Sequence, residues 1–440
     1  MVPDPTIMQA VEKLDYRVTV GDVAAQAGLD INLAQQGLLA LASDAGGHLQ
    51  VAESGEIVYL FPKNFRNVLR NKFFRLRLKE WWAKVWRILF YLIRISFGIV
   101  LLVSIALIVV AIAIIVTAMN SSRDNDNGND SGGGGAIFLP NFWVTPDFFW
   151  IFSPNYYDYD RPYERRRRRS LDGEAKQLNF LEAIFSFLFG DGNPNANLEE
   201  RRWQTIGTVI RNHRGAVVAE QIAPYLDEVG QGYGYEYEDF MIPVLSRFNG
   251  RPEVSPEGGI VYHFPELQTT AAQNRSRSVP AYLEENPWRF SAAGSGQIIL
   301  AIGLGSLNFI GALVLGSLLA DGTVTAELGG FVAFVQSIYW LLLGYGTAFL
   351  AVPLGRYFWI QWRNGQIASR NQNRRQRVLR LNQAEPELQR KLAYAEQFAA
   401  ETVVSDKDLA YTTETDLLEQ EAERSDQIDA EWQRRLNESH

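Results

Sequence analysis

The stretch ISFGIVLLVSIALIVVAIAIIVTAM, residues 95–119, holds no charged side chain and is built mainly of Ile, Leu, Val and Ala. As a helix it is about 38 Å long, enough to cross a hydrocarbon core of about 30 Å with some tilt. Core helices of water-soluble domains rarely carry so long an apolar run. Residues 1–10 lack a basic start ahead of an apolar stretch, which argues against a cleaved signal peptide. Residue 95 therefore opens a first membrane span, and the rest of the chain is read outward from it.

Two further spans are expected at 297–320 (QIILAIGLGSLNFIGALVLGSLLA) and 330–354 (GFVAFVQSIYWLLLGYGTAFLAVPL), close enough in sequence to form a helical hairpin. In lipid, helices pair by close packing rather than by hydrophobic exclusion, so small residues belong at the contact. Ala312, Gly316 and Ala320 recur every four residues, as do Gly344 and Ala348, and these five are the expected helix-packing positions.

Basic residues near the spans set orientation. Residues 63–94 carry ten Lys and Arg against the single acid Glu80, whereas 120–135 (NSSRDNDNGNDSGGGG) is a polar, acidic linker. After the third span come Arg356, Arg363, Arg370, Arg374, Arg375, Arg377 and Arg380 with no acid among them. Both flanks are thus expected inside, on the cytoplasmic or stromal face. Three crossings do not return the chain to its starting side. Residues 136–152 (AIFLPNFWVTPDFFWIF) are the candidate return, an aromatic re-entrant segment interrupted by Pro140 and Pro146 and followed by a basic connector over 153–200. The rival reading is three spans with 120–293 outside, which requires export of Arg165–Arg169. Residues 63–94 are read as a basic amphipathic juxtamembrane helix. The expected membrane-surface contacts are Arg70, Arg75, Arg77, Trp81, Trp82, Arg165, Arg167, Trp359 and Arg363, because cations meet anionic headgroups and indole rings favour the interface.

The remaining sequence holds a repeat. GEIVYLFP at 55–62 matches GGIVYHFP at 258–265 at six of eight positions, and VAAQ at 23–26 matches VAEQ at 218–221 at three of four. Each copy, 1–62 and 201–268, reads as three helices closed by a two-stranded wing. In the first, helices at 8–14, 21–27 and 31–42 accompany strands at 17–19, 48–51 and 57–61, with Asp30 as a helix N-cap. The expected fold class is an α-helical membrane protein with two winged-helix-like α+β domains from an internal duplication and a charged helical tail over 355–440. Copies of about 60 residues have marginal cores, so they are expected to pack on each other or on a partner.

Charge argues against DNA as that partner, since phosphate contact by Lys and Arg dominates such binding. Residues 1–62 hold two basic side chains and eight acids, and residues 201–268 six and nine. The helix at 31–42 that would enter a groove has neither Lys nor Arg. Enzymatic motifs are missing too. The chain has no cysteine and four scattered histidines, and it contains no phosphate-binding loop, no HExxH and no nucleophile elbow. The spans lack the ionisable groups that transporters bury along their paths. No metal, catalytic residue or cofactor is expected. A membrane-tethered transcription regulator and a channel or transporter component stand as alternatives to a non-enzymatic adaptor. The sequence assigns no oligomeric state.

FPKNFR at 61–66, the Arg165–Arg169 block and NFLEAIFSFLFG at 179–190 together resemble a membrane protein family of cyanobacteria and chloroplasts, loosely associated with iron–sulphur cluster or photosystem I assembly. The resemblance implies a thylakoid location, with soluble parts on the stromal or cytoplasmic face and photosystem subunits among the protein partners. The lack of cysteine speaks against a cluster held by this chain itself and leaves an assembly role.

Overall fold

The computed structural model describes residues 4–72, 74–123, 178–227, 229, 237–271, 277–320, 328–383, 385–405 and 408–438. The 136–152 segment and Arg165–Arg169 lie outside the described residues, as do the side chains of Arg75 and Arg77. In chain order the elements are α1 (Pro5–Lys13), β1 (Arg17–Thr19), α2 (Val20–Ala27), α3 (Ile31–Ala45), β2 (His48–Ala52), β3 (Ile57–Leu60), α4 (Phe65–Lys72), α5 (Phe74–Arg123), α6 (Phe180–Phe189) and α7 (Leu198–Asn212). There follow β4 (Ala216–Val217), α8 (Ala219–Ile222), α9 (Ile242–Phe248), β5 (Arg251–Val254), β6 (Ile260–His263), α10 (Pro265–Gln268), β7 (Thr269–Thr270) and α11 (Ser295–Leu319). The last elements are α12 (Gly330–Ser337), α13 (Tyr339–Asn382), α14 (Pro386–Ala395), β8 (Thr402–Val403), β9 (Leu409–Thr412) and α15 (Leu417–Glu438). Most of the described chain is helical, and the sheets are small. Two compact units emerge: Met1–Trp81, Pro194–Asn286 and Gln366–His440 form the first, and Trp82–Asn193 with Pro287–Gly365 the second.

The first unit contains two small modules. In the first module, side-chain caps fix where the helices begin. Asp4 accepts from Thr6 N at 2.8 Å, Thr19 and Asp22 cap α2 reciprocally, and Asp30 accepts from Asn32 N at 2.8 Å. The strands run β1-β3-β2, with Arg17 opposite Leu60 and His48 opposite Leu60 on its other side. Ile7, Val11, Val18, Val23, Leu38 and Leu41 form the core. The second module runs α7, β4, α8, α9 and the β5–β6 hairpin, with strand order β4-β6-β5. Its middle helix is short, because β4 occupies residues 216–217 and Pro224 lies in a 3-10 turn that follows α8.

The modules share a face. Ala25 of α2 is buried in the core of the second module beside Trp203 and Ile206. A Cβ on Gly207 would lie 2.8 Å from the Cα of Ala25, and one on Gly28 would lie 2.9 Å from the Cβ of Trp203. Glycine at 207 lets the two helices touch backbone to backbone.

The tail was expected to be helical. It supplies α14 and α15, but also two strands that strap the modules. β9 adds to the free edge of β2, giving a sheet ordered β1-β3-β2-β9, and β8 runs parallel to β7. α14 packs Leu388, Leu392 and Ala395 on Val218 and Val261 of the second module.

The second unit holds the apolar helices. Among the described residues, three are long and apolar enough to cross a membrane: Trp81–Asn120 within α5, α11, and α13. The expected single helix over 330–354 is broken at Ile338, so that α12 precedes α13. The short apolar α6 packs with Leu101, Ile105, Ala301 and Phe349 in one cluster. Inside these helices Ser104 Oγ donates to Asn308 Oδ1 at 2.9 Å, and both residues are buried.

Candidate docking surface

α3 is the outward element of the first module. Ile31, Ala34, Leu38, Leu41, Ala42 and Ala45 face the core, which turns Asn32, Leu33, Gln35, Gln36, Leu39 and Ser43 to the surface. Leu33 is 59% exposed and Leu39 53%. Two leucines set among three amides, with no charge, are suited to another polypeptide's apolar patch. They offer a phosphate backbone nothing to hold. The surrounding module is acidic, which favours a partner patch rimmed by Lys and Arg.

In the second module α9, which precedes the β5–β6 hairpin, carries one cation, Arg247, and it is already engaged. Its Nη1 donates to Gly28 O at 2.6 Å, and its guanidinium lies 4.1 Å from the ring centroid of Trp203. Arg247 thus fastens the modules together.

A buried polar knot fixes α2 relative to the second module. Asp22 accepts from Thr19 N at 2.9 Å, Thr270 Oγ1 at 3.0 Å and Ala271 N at 3.0 Å, and pairs with Arg211 at 2.5 Å. The side chains of Asp22 and Arg211 are 5% and 10% exposed. Arg17 Nη1 donates to Ala271 O at 2.6 Å and to Val404 O at 2.8 Å, which ties β1 to the tail strap. In the second module Lys391 of α14 pairs with Glu220 at 3.0 Å and with Glu238, while Tyr262 donates to Glu238 at 2.7 Å. Burial works against the Lys391 charge, but Glu220 and Glu238 outweigh it and hold the ammonium above its ordinary pKa. Burial raises the Tyr262 phenol, and its bond to Glu238 raises it further.

Three of the arginines read as orientation signals also make contacts within the first unit. Arg370, Arg374 and Arg377 lie on one face of α13. Arg374, 1% exposed, donates to Leu283 O at 2.8 Å and pairs with Glu285 at 2.9 Å and with Asp227. Arg370 binds Glu285 at 2.6 Å, and Arg377 donates to Ala223 O at 2.9 Å and Leu226 O at 2.7 Å. Burial tends to raise the Asp227 and Glu285 carboxyls. The hydrogen bond from Arg374 to Asp227 and that from Arg370 to Glu285, with the nearby guanidinium charges, bring both below the ordinary carboxylate range. Sequence reasoning assigned these cations to topology. Their i, i+4, i+7 spacing was the available sign of a shared binding face.

The other expected site residues are placed as follows. Trp81 and Trp82 are more than half exposed, Arg70 is exposed, and Arg363 lies over Trp359 at 5.8 Å. Ala312 is buried among Ile108, Val332 and Leu342, and Gly316 faces the Tyr339 hydroxyl. Ala320, Gly344 and Ala348 are exposed. The tight approach between α11 and α13 is made by Gly305 against Phe349 and by Gly346 against the Phe309 backbone. No group of three or more metal-ligating side chains occurs among the described residues.

Together these features define a helical protein with three membrane-length apolar helices among the described residues and two strapped α+β modules, the first with an outward helix that carries no cation. Along 98% of its length the chain is 37% identical to a protein of Arabidopsis thaliana, "Uncharacterized protein At5g03900, chloroplastic", covering 82% of that protein. The chain belongs to the family of that chloroplastic protein. No family model matches it, and no solved structure does.

Proposed function

We propose that the protein is a non-enzymatic adaptor anchored in the thylakoid membrane, which docks protein partners at the cytoplasmic or stromal face during photosystem I assembly. The two modules serve as winged-helix-like domains of a duplicated pair turned from nucleic acid to protein. The apolar helices hold them at the bilayer, with Trp81, Trp82 and Trp359 at headgroup level. The observation that carries this reading is the outward face of α3, where Leu33 and Leu39 stand exposed among amides without a single cation. The chloroplastic relative supports the location.

The test is affinity purification of the full chain from solubilised thylakoid membranes, with mass spectrometry, beside the variant L33E/L39E. Photosystem I subunits or their precursors should co-purify with the parent chain and drop by about tenfold with the variant, since two central apolar contacts together commonly supply more than about 1.4 kcal/mol. Equal recovery by both chains, or recovery of RNA polymerase and promoter DNA alone, overturns the reading.

A further inference from the structure

At one end of the apolar helices of the second unit, two guanidiniums meet the C-terminal end of α6, and one of them pairs with the carboxylate that follows it. Arg94 Nη2 pairs with Asp191 Oδ1 at 2.9 Å. The other Asp191 oxygen already accepts from Ser186 Oγ at 2.6 Å and Ala292 N at 2.7 Å. Arg356 Nη1 donates to Ser186 O at 3.3 Å and Phe187 O at 3.0 Å, carbonyls of the last turn of α6. Its guanidinium lies 4.5 Å from the ring centroid of Phe290. Gly190, with φ of 81°, admits that guanidinium; a Cβ there would meet the Arg356 Cζ at 3.3 Å. The cluster therefore carries one net positive charge. Two buried donors, Arg94 Nε and Arg356 Nη2, find no acceptor among the described residues.

A buried N–H of a charged fork without an acceptor is costly, and the cost is greatest where lipid replaces water. Guanidinium forks match the oxygens of a phosphate or sulfonate. Depth is set by the aromatic residues alongside: Trp288 packs on Trp359 at 5.2 Å, and Tyr357, Phe358 and Phe189 are exposed. Such a belt marks the headgroup layer, with apolar surface below it to receive acyl chains.

We propose that Arg94 and Arg356 form a binding site for the anionic headgroup of a membrane lipid, a phosphodiester or a sulfonate. Asp191 holds the Arg94 fork and limits the affinity. The inference rests on the reading that these helices span a bilayer. Resistance of the full chain to alkaline extraction from membranes tests that reading separately.

The test uses the full chain in detergent, delipidated and then titrated with phosphatidylglycerol, phosphatidylcholine or inorganic phosphate, with bound lipid read by native mass spectrometry. Phosphatidylglycerol should be retained in preference to phosphatidylcholine. Arg94→Gln should lower its retention by about tenfold, the usual scale for one charge-assisted contact. Asp191→Asn should raise it severalfold, because the amide keeps the acceptor for Ala292 N but removes the competing charge. A purely structural role for Asp191 predicts the opposite sign. Arg356→Lys keeps the charge near the α6 carbonyls without the second donor, and should fold and bind less phosphatidylglycerol. Retention of both lipids alike, weaker binding by Asp191→Asn, or displacement of the lipid by millimolar inorganic phosphate overturns the proposal.

Discussion

Replacing Asp22 by alanine should loosen the two modules from each other without touching the apolar helices. The carboxylate is buried and satisfies three donors while pairing with Arg211 at 2.5 Å. Its removal leaves the 90%-buried Arg211 charge with Thr270 Oγ1 at 2.9 Å as its remaining polar contact given by this structure, and orphans the amides of Thr19 and Ala271. Breaking a buried pair by deleting one partner costs about 3–5 kcal/mol, and each orphaned amide adds about 1–3 kcal/mol that does not sum fully. A floor of about 3 kcal/mol is reasonable, equal to about a hundredfold in an opening equilibrium. Native-state hydrogen exchange of the full chain in detergent reads this directly: amides of α2 and α7 should lose about two decades of protection, while those of α11 hold theirs. The double variant D22A/R211M removes the stranded cation and should recover more than half of the loss. Loss of less than about 0.5 kcal/mol in the single variant, or no recovery in the double one, refutes the account.

Three other outcomes follow from the same geometry. Gly21→Ala drives a methyl into Glu266 O, a backbone atom, so the first unit should lose about 1–3 kcal/mol in a denaturant titration followed by tryptophan fluorescence. The carboxyls of Asp227 and Glu285 have lower pKa folded than unfolded, so the stability they add is complete above their unfolded values near 4. That stability disappears as pH falls through the folded values; circular dichroism at pH 7 and about pH 3 should show it, and the variant R374M should flatten the dependence. Ser104→Ala removes a buried hydroxyl from Asn308 Oδ1 and should cost about 0.6 kcal/mol in mixed-micelle unfolding, the usual worth of a hydrogen bond between membrane helices.

The membrane-length apolar helices and the helices of the first module were readable because their signals are local. An uninterrupted apolar run needs no partner to be recognised, and the caps Asp4, Thr19 and Asp30 sit in the sequence beside the helices they start. The strap was not readable. β8 is the pair Thr402–Val403 and β9 the four residues LAYT inside an acid-rich tail, lengths at which alternation carries no information. Each becomes a strand because β7 and β2 present unpaired backbone groups, a cause that lies more than a hundred residues away. The helix contact between α11 and α13 shows a different limit. The four-residue recurrence of Gly344 and Ala348 is real, but that face of α13 is exposed, while Gly346, two residues on from Gly344, is where the Phe309 backbone comes close. Periodicity marks a face and does not say which neighbour occupies it. Of the candidate site, the lack of Lys and Arg on α3 was legible, whereas the use of Arg247, Arg370, Arg374 and Arg377 inside the unit depends on carbonyls and carboxylates supplied by distant segments.

The strap also narrows how the proposed partner would approach. A wing of antiparallel strands commonly offers its outer edge for an added strand. In the first module the free edge of β2 is filled by β9, and Glu53 N donates to Asp408 O at 2.8 Å where the pairing begins. The new outer edge at β9 is closed at Thr412, whose N–H donates to the Gln420 side chain at 3.0 Å and whose carbonyl accepts from it at 2.7 Å. Strand addition at this edge would therefore require displacing the tail or the Gln420 amide. On the second module α14 covers part of β6 with Leu388, Leu392 and Lys391. What the first module presents instead is the outward side of α3, where Leu33 and Leu39 remain uncovered. Recognition through a helix face selects by shape and apolar contact, which suits an acidic scaffold without a cation to spare for that surface.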